Sequence, residues 1–468
     1  MILFSYNLPN RWVNKAKGDI NMSDPVKISV YRKNTASDYL ETAIDVARWI
    51  KKYEVIKGAY KCWEISSGAG SKEGDDLAQK MTDRSIYSGA AGVGLFFIQL
   101  YEATENEKYL DEAVQAGEYL LNTFNENNIK PGIHGGLTGE GFFTEALFKK
   151  TGDVRYHEYA INAGDIVYKH AVRENGYIHW EGLVDYMGDG SVIAYWLYLA
   201  RITGKQKYVD YAKEFLDYII TFKTDNEDGT TYWKFFDIHD YFPELPAGGI
   251  LPNFAHGTAG IVYLLTLYYE ATKDEKYLEL AKAGFRFLEN IAINNDDASI
   301  VPYLYLPEGD KDFDVFYLSM CHGPAGDAIV AKELYKATKD ERYLQFYKRL
   351  SNALDRAGVT YKRSPGYWND CICCGSAGVL LHFVDGIGLI KDESYKTRAI
   401  GVADKLLGDA FKNDEGTRWY NAWTRVLPWN VDAHIGLYLG SAGAASALVS
   451  LYGALEGKRI TQIFEFND

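Results

Sequence analysis

The segment His256-Gly257-Thr258-Ala259-Gly260 runs directly into the apolar stretch Ile261-Val262-Tyr263-Leu264-Leu265. This stretch is apolar on nearly every side, which is typical of a helix that is buried all round. The Gly-x-x-Gly pattern that opens it recurs along the chain and indicates an internal repeat. Its clear copies end at Gly92, Gly139, Gly260, Gly326, Gly378 and Gly443, and a degenerate copy spans residues 186–190. The chain is therefore expected to consist of about seven similar units.

A second helix is predicted in each unit. A turn with Lys, Asp or Glu leads to a Tyr, as in Glu275-Lys276-Tyr277, and an amphipathic stretch with one apolar stripe follows. We therefore predict an all-α protein, an α/α toroid with about seven inner and seven outer helices. A closed ring explains why no polar capping helices mark the ends, which an open solenoid needs. We place the toroid at residues 38–458, between an N-terminal extension, 1–37, and a C-terminal tail, 459–468.

The composition of the 468-residue chain excludes several classes of function. The formal net charge is −14 and no cluster of Lys and Arg offsets it, so we predict no nucleic-acid partner. No apolar run approaches the roughly 20 residues that cross a bilayer, and the N-terminal stretch is unlike a signal peptide. We expect a cytoplasmic protein without a transmembrane segment. Five cysteines are too few for a disulfide scaffold of this size.

The residues beside the glycine turns are the candidates for chemistry. The turns lie at the N-terminal ends of the inner helices and so gather at one mouth of the ring. Their glycines are expected to allow close backbone approach and a positive φ. Cys321 there precedes His322-Gly323, and Cys373 precedes Cys374-Gly375. Three sulfur donors from neighbouring units predict a Zn²⁺ site with one open coordination position, because Zn²⁺ prefers S and N ligands. Two alternatives stay open: the cysteines are buried apolar residues, or Cys371 competes as a ligand.

Histidines and acidic residues lie near this predicted site. His256 has the same repeat position as His322 and Cys374, which favours a general acid/base facing the metal over a core histidine bonded to a carbonyl. For His322, a fourth ligand, a substrate contact and a turn cap all stay open. The acidic residues in or near the degenerate third copy are Glu181, Asp185 and Asp189. Either one of them orients His256, or they are solvated or capping groups.

These motifs resemble the lanthionine synthetase C-like (LanC-like) family. The resemblance covers residues 38–458 and rests on three segments in this order: Ala255-His256-Gly257-Thr258-Ala259-Gly260, Met320-Cys321-His322-Gly323-Pro324-Ala325-Gly326 and Cys373-Cys374-Gly375-Ser376-Ala377-Gly378. It implies thioether ring closure, in which a zinc-bound Cys thiolate of a dehydrated precursor peptide adds to a dehydroalanine or dehydrobutyrine.

The resemblance also implies roles for single residues. Cys321 and Cys373 match zinc ligands, and Cys374 matches a third ligand that is His in most members. His256 matches the acid/base, and Asp185 is the best match for an assisting Asp. Many members have a substrate-polarising Tyr where this chain has His322, and we expect His322 to take over that catalytic role.

The implied chemistry sets further expectations. Three thiolates on Zn²⁺ carry a net charge of −1, and a substrate thiolate adds another, which keeps the incoming sulfur nucleophilic. No phosphate-binding loop or kinase signature is present, so we expect a separate dehydratase as partner. Two other functions stay open. One is a sugar-active toroid enzyme, which needs paired acidic or His residues and no metal thiolates; the other is a relative that adds or binds glutathione.

Overall fold

Fourteen α-helices alternate between two concentric rings in the computed structural model, which describes residues 33–66, 80–241, 243, 245–307, 316–361, 370–422 and 431–463. The inner ring consists of α2 (Ala90–Thr104), α4 (Leu137–Thr151), α6 (Val192–Thr203), α8 (Thr258–Thr272), α10 (Pro324–Thr338), α12 (Ser376–Ile390) and α14 (Ser441–Glu456). The outer ring consists of α1 (Ala36–Ile50), α3 (Glu107–Thr123), α5 (Val154–Lys169), α7 (Lys207–Ile220), α9 (Glu275–Ile291), α11 (Glu341–Arg356) and α13 (Glu393–Asp409). The predicted all-α class and the alternation of seven inner and seven outer helices are confirmed.

The first and last helices of the described residues close the ring. Outer helix α1 packs along inner helix α14, which itself packs between α12 and α2. The Tyr39 hydroxyl of α1 also donates a hydrogen bond to the buried Asp404 carboxylate of α13, with an O···O distance of 2.7 Å. Because every inner helix has a neighbour on both sides, no capping helix is needed.

Each outer helix starts in a short turn after an inner helix. Helix α8 ends at Thr272 and is followed by Lys273, whose φ of 59° is left-handed; α9 begins two residues after Lys273. Asp274 caps α9 by accepting the backbone N–H of Lys276 at 3.0 Å. Tyr277 in the same turn is buried, and its ring packs 4.5 Å from that of Tyr268. The Glu-Lys-Tyr signature therefore marks a helix start, as predicted.

Short antiparallel strands follow most of the outer helices, and the sequence analysis did not anticipate them. The strands are β1 (Glu54–Lys57), β2 (Tyr60–Ser66), β3 (Lys80–Thr82), β4 (Val172–Glu174), β5 (Tyr177–His179), β6 (Lys223–Asp225), β7 (Thr231–Trp233), β8 (Ile293–Asn294), β9 (Ser299–Ile300), β10 (Phe411–Asn413), β11 (Gly416–Arg418), β12 (Asn421–Ala422) and β13 (Val431–Asp432). They form one three-stranded sheet, β1-β2-β3, and five two-stranded hairpins within the described residues. The hairpins lie between an outer helix and the loop that enters the next inner helix, and they leave the fold class unchanged.

A circle of hydrogen bonds joins the seven loops that lead into the inner helices. One residue of each loop takes part, and we call these residues the mouth ring: Tyr87, His134, Met187, Ala255, Cys321, Cys373 and Tyr438. At six steps a backbone N–H donates to the carbonyl of the neighbouring mouth-ring residue at 2.9–3.0 Å. At the seventh step the His134 side chain hydrogen-bonds with the Met187 backbone. Side chains at equivalent repeat positions are thereby held around one opening.

Glycines behind the mouth ring make room for this close packing. A Cβ on Gly443 would lie 1.7 Å from the Leu437 carbonyl oxygen, and a Cβ on Gly257 would lie 1.8 Å from that of Leu251. The expected close backbone approach is therefore correct. The expected positive φ is wrong for most of these turns: among the first glycines of the clear copies, Gly323 alone adopts it, at 132°.

The third unit lacks the Gly-x-x-Gly pattern, and its alignment with the other units differs from the alignment expected from the sequence. Met187 is its mouth-ring residue, which places Asp189 where the other units have their first glycine and Val192 where they have the second. The frame that ends at Gly190 is therefore two residues out of step. A 3₁₀ turn, Asp189–Ser191, takes the place of the glycine turn before α6.

The ends of the chain lie largely outside the described residues. Most of the predicted extension, 1–37, and part of the predicted tail, 459–468, are not described, and the boundaries at 38 and 458 stay predictions. Among the residues that are described, no helix has both the length and the apolar character that a membrane crossing requires.

Candidate functional site

Three cysteine sulfurs meet at the mouth of the toroid. Cys321 and Cys373 are mouth-ring neighbours, because the Cys321 N–H donates to the Cys373 carbonyl at 3.0 Å. The Cys374 sulfur lies 3.4 Å from that of Cys321 and 3.4 Å from that of Cys373. All three sulfurs lie within 4.8 Å of one another, and all three residues are buried. The structure thus brings together the three residues that the sequence analysis proposed as ligands.

The donor set of this cluster fits a zinc ion. Three thiol groups converge from two turns, and thiolate sulfur favours Zn²⁺ over hard cations such as Mg²⁺ or Ca²⁺. Within the described residues this is the one group of three or more His, Cys, Asp or Glu whose ligand atoms lie close enough together to share a metal ion. Cys371 is not in it; its sulfur accepts the backbone N–H of Cys374 at 3.4 Å and so helps to shape the turn.

The thiols of the cluster strongly influence one another's ionisation. Hydrogen bonds from the Cys373 and Cys374 thiols lower the pKa of Cys321 well below its ordinary value of 9.0. The same contacts with Cys321 raise the pKa values of Cys373 and Cys374 well above it. Protein groups therefore stabilise one thiolate here, whereas three thiolates side by side require a cation.

His256 stands beside the cluster and is held by a buried carboxylate. Its Nδ1 lies 2.9 Å from Asp185 Oδ2, and Asp185 Oδ1 accepts the backbone N–H of Gly188 at 2.8 Å. Asp185 is fully buried, while 29% of the His256 side chain is exposed. Because Nδ1 faces the carboxylate, Nε2 is the nitrogen left for exchange with a ligand. Burial lowers the pKa of His256, but the charge and hydrogen bond of Asp185 outweigh it and the pKa is raised above 6.5.

His322 shares the side of the mouth that carries His256. The two imidazole centroids are 5.3 Å apart, and the His322 ring packs edge-on against Tyr303 at 4.8 Å. His322 is buried and follows Cys321 directly in the chain. This placement is compatible with contact to a ligand bound between the histidines and the sulfurs.

The other acidic candidates occupy different environments. Asp189 is buried, and burial together with the charge of Asp185 raises its pKa to about 7. Its carboxylate packs against Gly182 rather than against His256. Glu181 is exposed. Of the three acidic candidates, Asp185 is the one that contacts His256.

Two long loops build a wall beside the histidines, and the sequence analysis missed them. Ile250 and Tyr305 exchange two backbone hydrogen bonds of 2.9 Å, which join the loop before α8 to the loop before α10. The loops enclose a separate apolar cluster of Ile238, Leu251, Tyr303, Leu304 and Tyr317. Tyr303 of this cluster packs against the His322 ring. Phe236, which packs against the cluster, has its ring centroid 6.1 Å from that of His256. In the sequence, these loops are indicated by the long intervals between the glycine turns that end at Gly260 and Gly326 and the turns before them.

Fold and site together define a closed α/α toroid with a sulfur cluster and a carboxylate-held histidine at one mouth. The chain belongs to the lanthionine synthetase C-like protein family, which matches residues 80–464. This confirms the family resemblance seen in the repeat motifs.

Solved structures of other proteins are similar to this chain. Nisin cyclase is similar at 12% identity over 90% of this chain and 94% of that chain, with a TM-score of 0.63, which confirms the toroid fold. The Lin0763 protein from Listeria innocua matches at 14% identity over 91% and 99% of the two chains, with a TM-score of 0.48. An unsaturated glucuronyl hydrolase from Bacillus sp. GL1 matches at 18% identity over 71% and 85%, with a TM-score of 0.44. A comparison with curated protein sequences finds no match.

Proposed function

We propose that this protein is a zinc-dependent lanthionine cyclase that closes thioether rings in a dehydrated precursor peptide. The observation that carries the proposal is the three-sulfur cluster of Cys321, Cys373 and Cys374 beside the His256–Asp185 pair. Membership of the lanthionine synthetase C-like family supports it, as does the similarity of fold to a protein named nisin cyclase. The substrate peptide is expected to come from a separate dehydratase in the cytoplasm.

The three cysteines would hold the zinc ion. When bound, zinc supplies an electrophilic centre that lowers the pKa of an incoming peptide thiol and retains it as a thiolate. The sulfur cluster fixes where that thiolate sits, and the net negative charge of three sulfur ligands keeps it nucleophilic. The buried position of all three cysteines limits competition by water.

The histidines would handle the proton that the reaction moves. The peptide sulfur forms a bond to the β-carbon of the dehydroamino acid, and the π electrons shift towards the carbonyl to give an enolate. His256, whose pKa is raised above 6.5 by Asp185 so that its protonated form is favoured, donates a proton to the α-carbon. Asp185 orients the ring and stabilises its positive charge. His322, whose ring centroid lies 5.3 Å from that of His256, would donate a hydrogen bond to the carbonyl oxygen.

The test compares two thiols as nucleophiles for the purified protein: the Cys of the substrate peptide and glutathione. Zinc content is measured first, and the protein is then incubated with a dehydrated peptide that carries its own Cys, or with a Cys-free dehydrated peptide and glutathione. Ring closure leaves the peptide mass unchanged but blocks its thiol to alkylation, which is the expected result. Zinc-loaded protein that only forms the glutathione adduct would contradict the proposal in favour of a glutathione-adding relative. Protein that binds no zinc would contradict the metal centre.

A further inference from the structure

Two hydroxyl groups reach the sulfur cluster from outside it. The Ser319 hydroxyl lies 3.3 Å from the Cys321 sulfur. The Tyr87 side chain is close to the sulfurs of Cys373 and Cys374 and interacts with them electrostatically. Ser319 is in the same loop as Cys321, whereas Tyr87 belongs to the first unit of the toroid.

The position of Tyr87 follows from the mouth ring. Cys373 donates its N–H to the Tyr438 carbonyl, and Tyr438 donates its N–H to the Tyr87 carbonyl. The rings of Tyr87 and Tyr438 stack with centroids 5.1 Å apart and an angle of 15° between their planes. The stack limits rotation of the Tyr87 ring and holds its hydroxyl towards Cys373.

Both hydroxyls suit the role of donor. A tyrosine hydroxyl ionises only near pH 10, so that of Tyr87 keeps its proton at neutral pH. Ser319 is buried and also lies 3.2 Å from the His322 carbonyl oxygen. Its single proton goes to the stronger acceptor, and a thiolate is a stronger acceptor than a neutral carbonyl.

Electrostatics gives these donors a function. Three thiolates around a divalent cation carry an excess negative charge in a buried site, where an unpaired charge is costly. A hydrogen bond to sulfur withdraws part of this charge. Mutation of residues that hydrogen-bond to metal ligands typically lowers metal affinity or activity about 10- to 100-fold.

We propose that Ser319 and Tyr87 are positioning residues that donate hydrogen bonds to the metal-binding sulfurs of Cys321 and Cys373 and thereby strengthen metal retention. This inference rests on the zinc centre of the proposed function. It also gives the first unit of the toroid, which contributes no ligand, a defined part in the site.

The test uses the full chain loaded with Co²⁺, whose sulfur-to-metal charge-transfer band reports electron density on the sulfurs. Tyr87→Phe keeps the stacked ring and removes the hydroxyl, and Ser319→Ala removes the other donor. Each change is expected to shift the band to longer wavelength, because a sulfur without its hydrogen bond gives up electron density more easily. Release of zinc to a chelator is expected to be about tenfold faster in each variant.

Tyr438→Phe is the matched control, because it removes a hydroxyl from the other ring of the same stack. It is expected to leave the band and the release rate as in the unaltered protein. An unshifted band in Tyr87→Phe and Ser319→Ala, or an equal shift in Tyr438→Phe, would overturn the inference while the metal centre stands. Failure of the unaltered protein to bind Co²⁺ or Zn²⁺ would instead overturn the metal centre itself.

Discussion

One arc of the mouth ring carries the candidate chemistry, and the remaining arc carries almost none. Both arcs lead into inner helices, and backbone hydrogen bonds of 2.9–3.0 Å join their mouth-ring residues at every step except that from His134 to Met187. The mouth-ring residues of the reactive arc are Ala255, Cys321 and Cys373, and those of the other arc are Tyr438, Tyr87, His134 and Met187. The residues that directly follow them are His256, His322 and Cys374 in the reactive arc and Leu439, Ser88, Gly135 and Gly188 in the other. Two positions per unit therefore carry most of the candidate side chains on a shared scaffold, and Asp185 of the third unit adds its contact with His256.

Removing a sulfur from the reactive arc is expected to have the largest effect, because it takes away a metal ligand that the other arc does not have. Cys321→Ala takes away one of three donors, and we expect zinc binding to weaken by more than about 100-fold and ring closure to fall to background. Zinc content after dialysis and thiol alkylation of the peptide product measure both effects. Met187→Ala changes the equivalent mouth-ring position in the other arc and is expected to retain zinc. A Cys321→Ala protein with one zinc per chain would contradict the ligand assignment.

The next largest effect is expected at the position that follows a mouth-ring residue. His256→Asn removes the proton donor but no sulfur, so we expect the rate of ring closure to drop by about 10²–10⁴ with zinc content unchanged. Single-turnover rates on zinc-matched samples measure this. Ser88→Ala, at the equivalent position of the first unit, serves as the control and should retain the rate. A His256→Asn enzyme within threefold of the unaltered rate would show that the proton comes from elsewhere.

The features that sequence predicted best are those that repeat. Alternating buried and amphipathic helices, the Glu-Lys-Tyr helix starts and the clustering of three cysteines at one mouth all follow from a pattern that recurs in register. The glycine spacing even indicated close backbone approach, since a Cβ on Gly443 would collide with the Leu437 carbonyl. Because each pattern occurs in several units, the sequence shows the same local structural preference several times. Closure of the ring then fixes which units are neighbours.

The features that sequence did not predict are those that occur once. The third unit replaces its glycines with Asp189 and Val192, and its frame became clear only from the hydrogen bond that Met187 makes to Ala255. The wall joined at Ile250 and Tyr305 pairs two loops far apart in the chain, and local propensity carries no information on such pairing. The residues alone left Glu181, Asp185 and Asp189 open as partners of His256; the family resemblance favoured Asp185, which makes the contact.

The contact of His256 with Asp185 predicts a pH effect of intermediate size. Asp185 raises the pKa of His256, so the protonated imidazole persists to a higher pH and is lost as pH rises through that raised value. Asp185→Asn removes this support, and we expect the high-pH fall in rate to begin at lower pH. We also expect a 10- to 100-fold loss at neutral pH, the worth of a charge-assisted hydrogen bond.

Rate profiles of zinc-loaded protein between pH 5 and 9 test this expectation. Glu181→Gln, which alters an exposed acid of the same unit, is the control and should leave the profile in place. A profile of Asp185→Asn that coincides with that of the unaltered protein would show that the carboxylate does not set the protonation of His256.

The smallest effect is expected from a change that keeps the ligand count and alters only charge. Cys374→His leaves two sulfurs and one nitrogen and makes the loaded site one unit less negative. A less negative site holds the substrate thiolate more tightly, so it is a weaker nucleophile, and we expect ring closure to slow by up to about tenfold at equal zinc occupancy. Cys373→His makes the same change of charge on a neighbouring sulfur and should slow the reaction to a similar degree. Because both variants retain His256, faster ring closure in either would mean that charge on the sulfurs restrains the attack rather than promoting it.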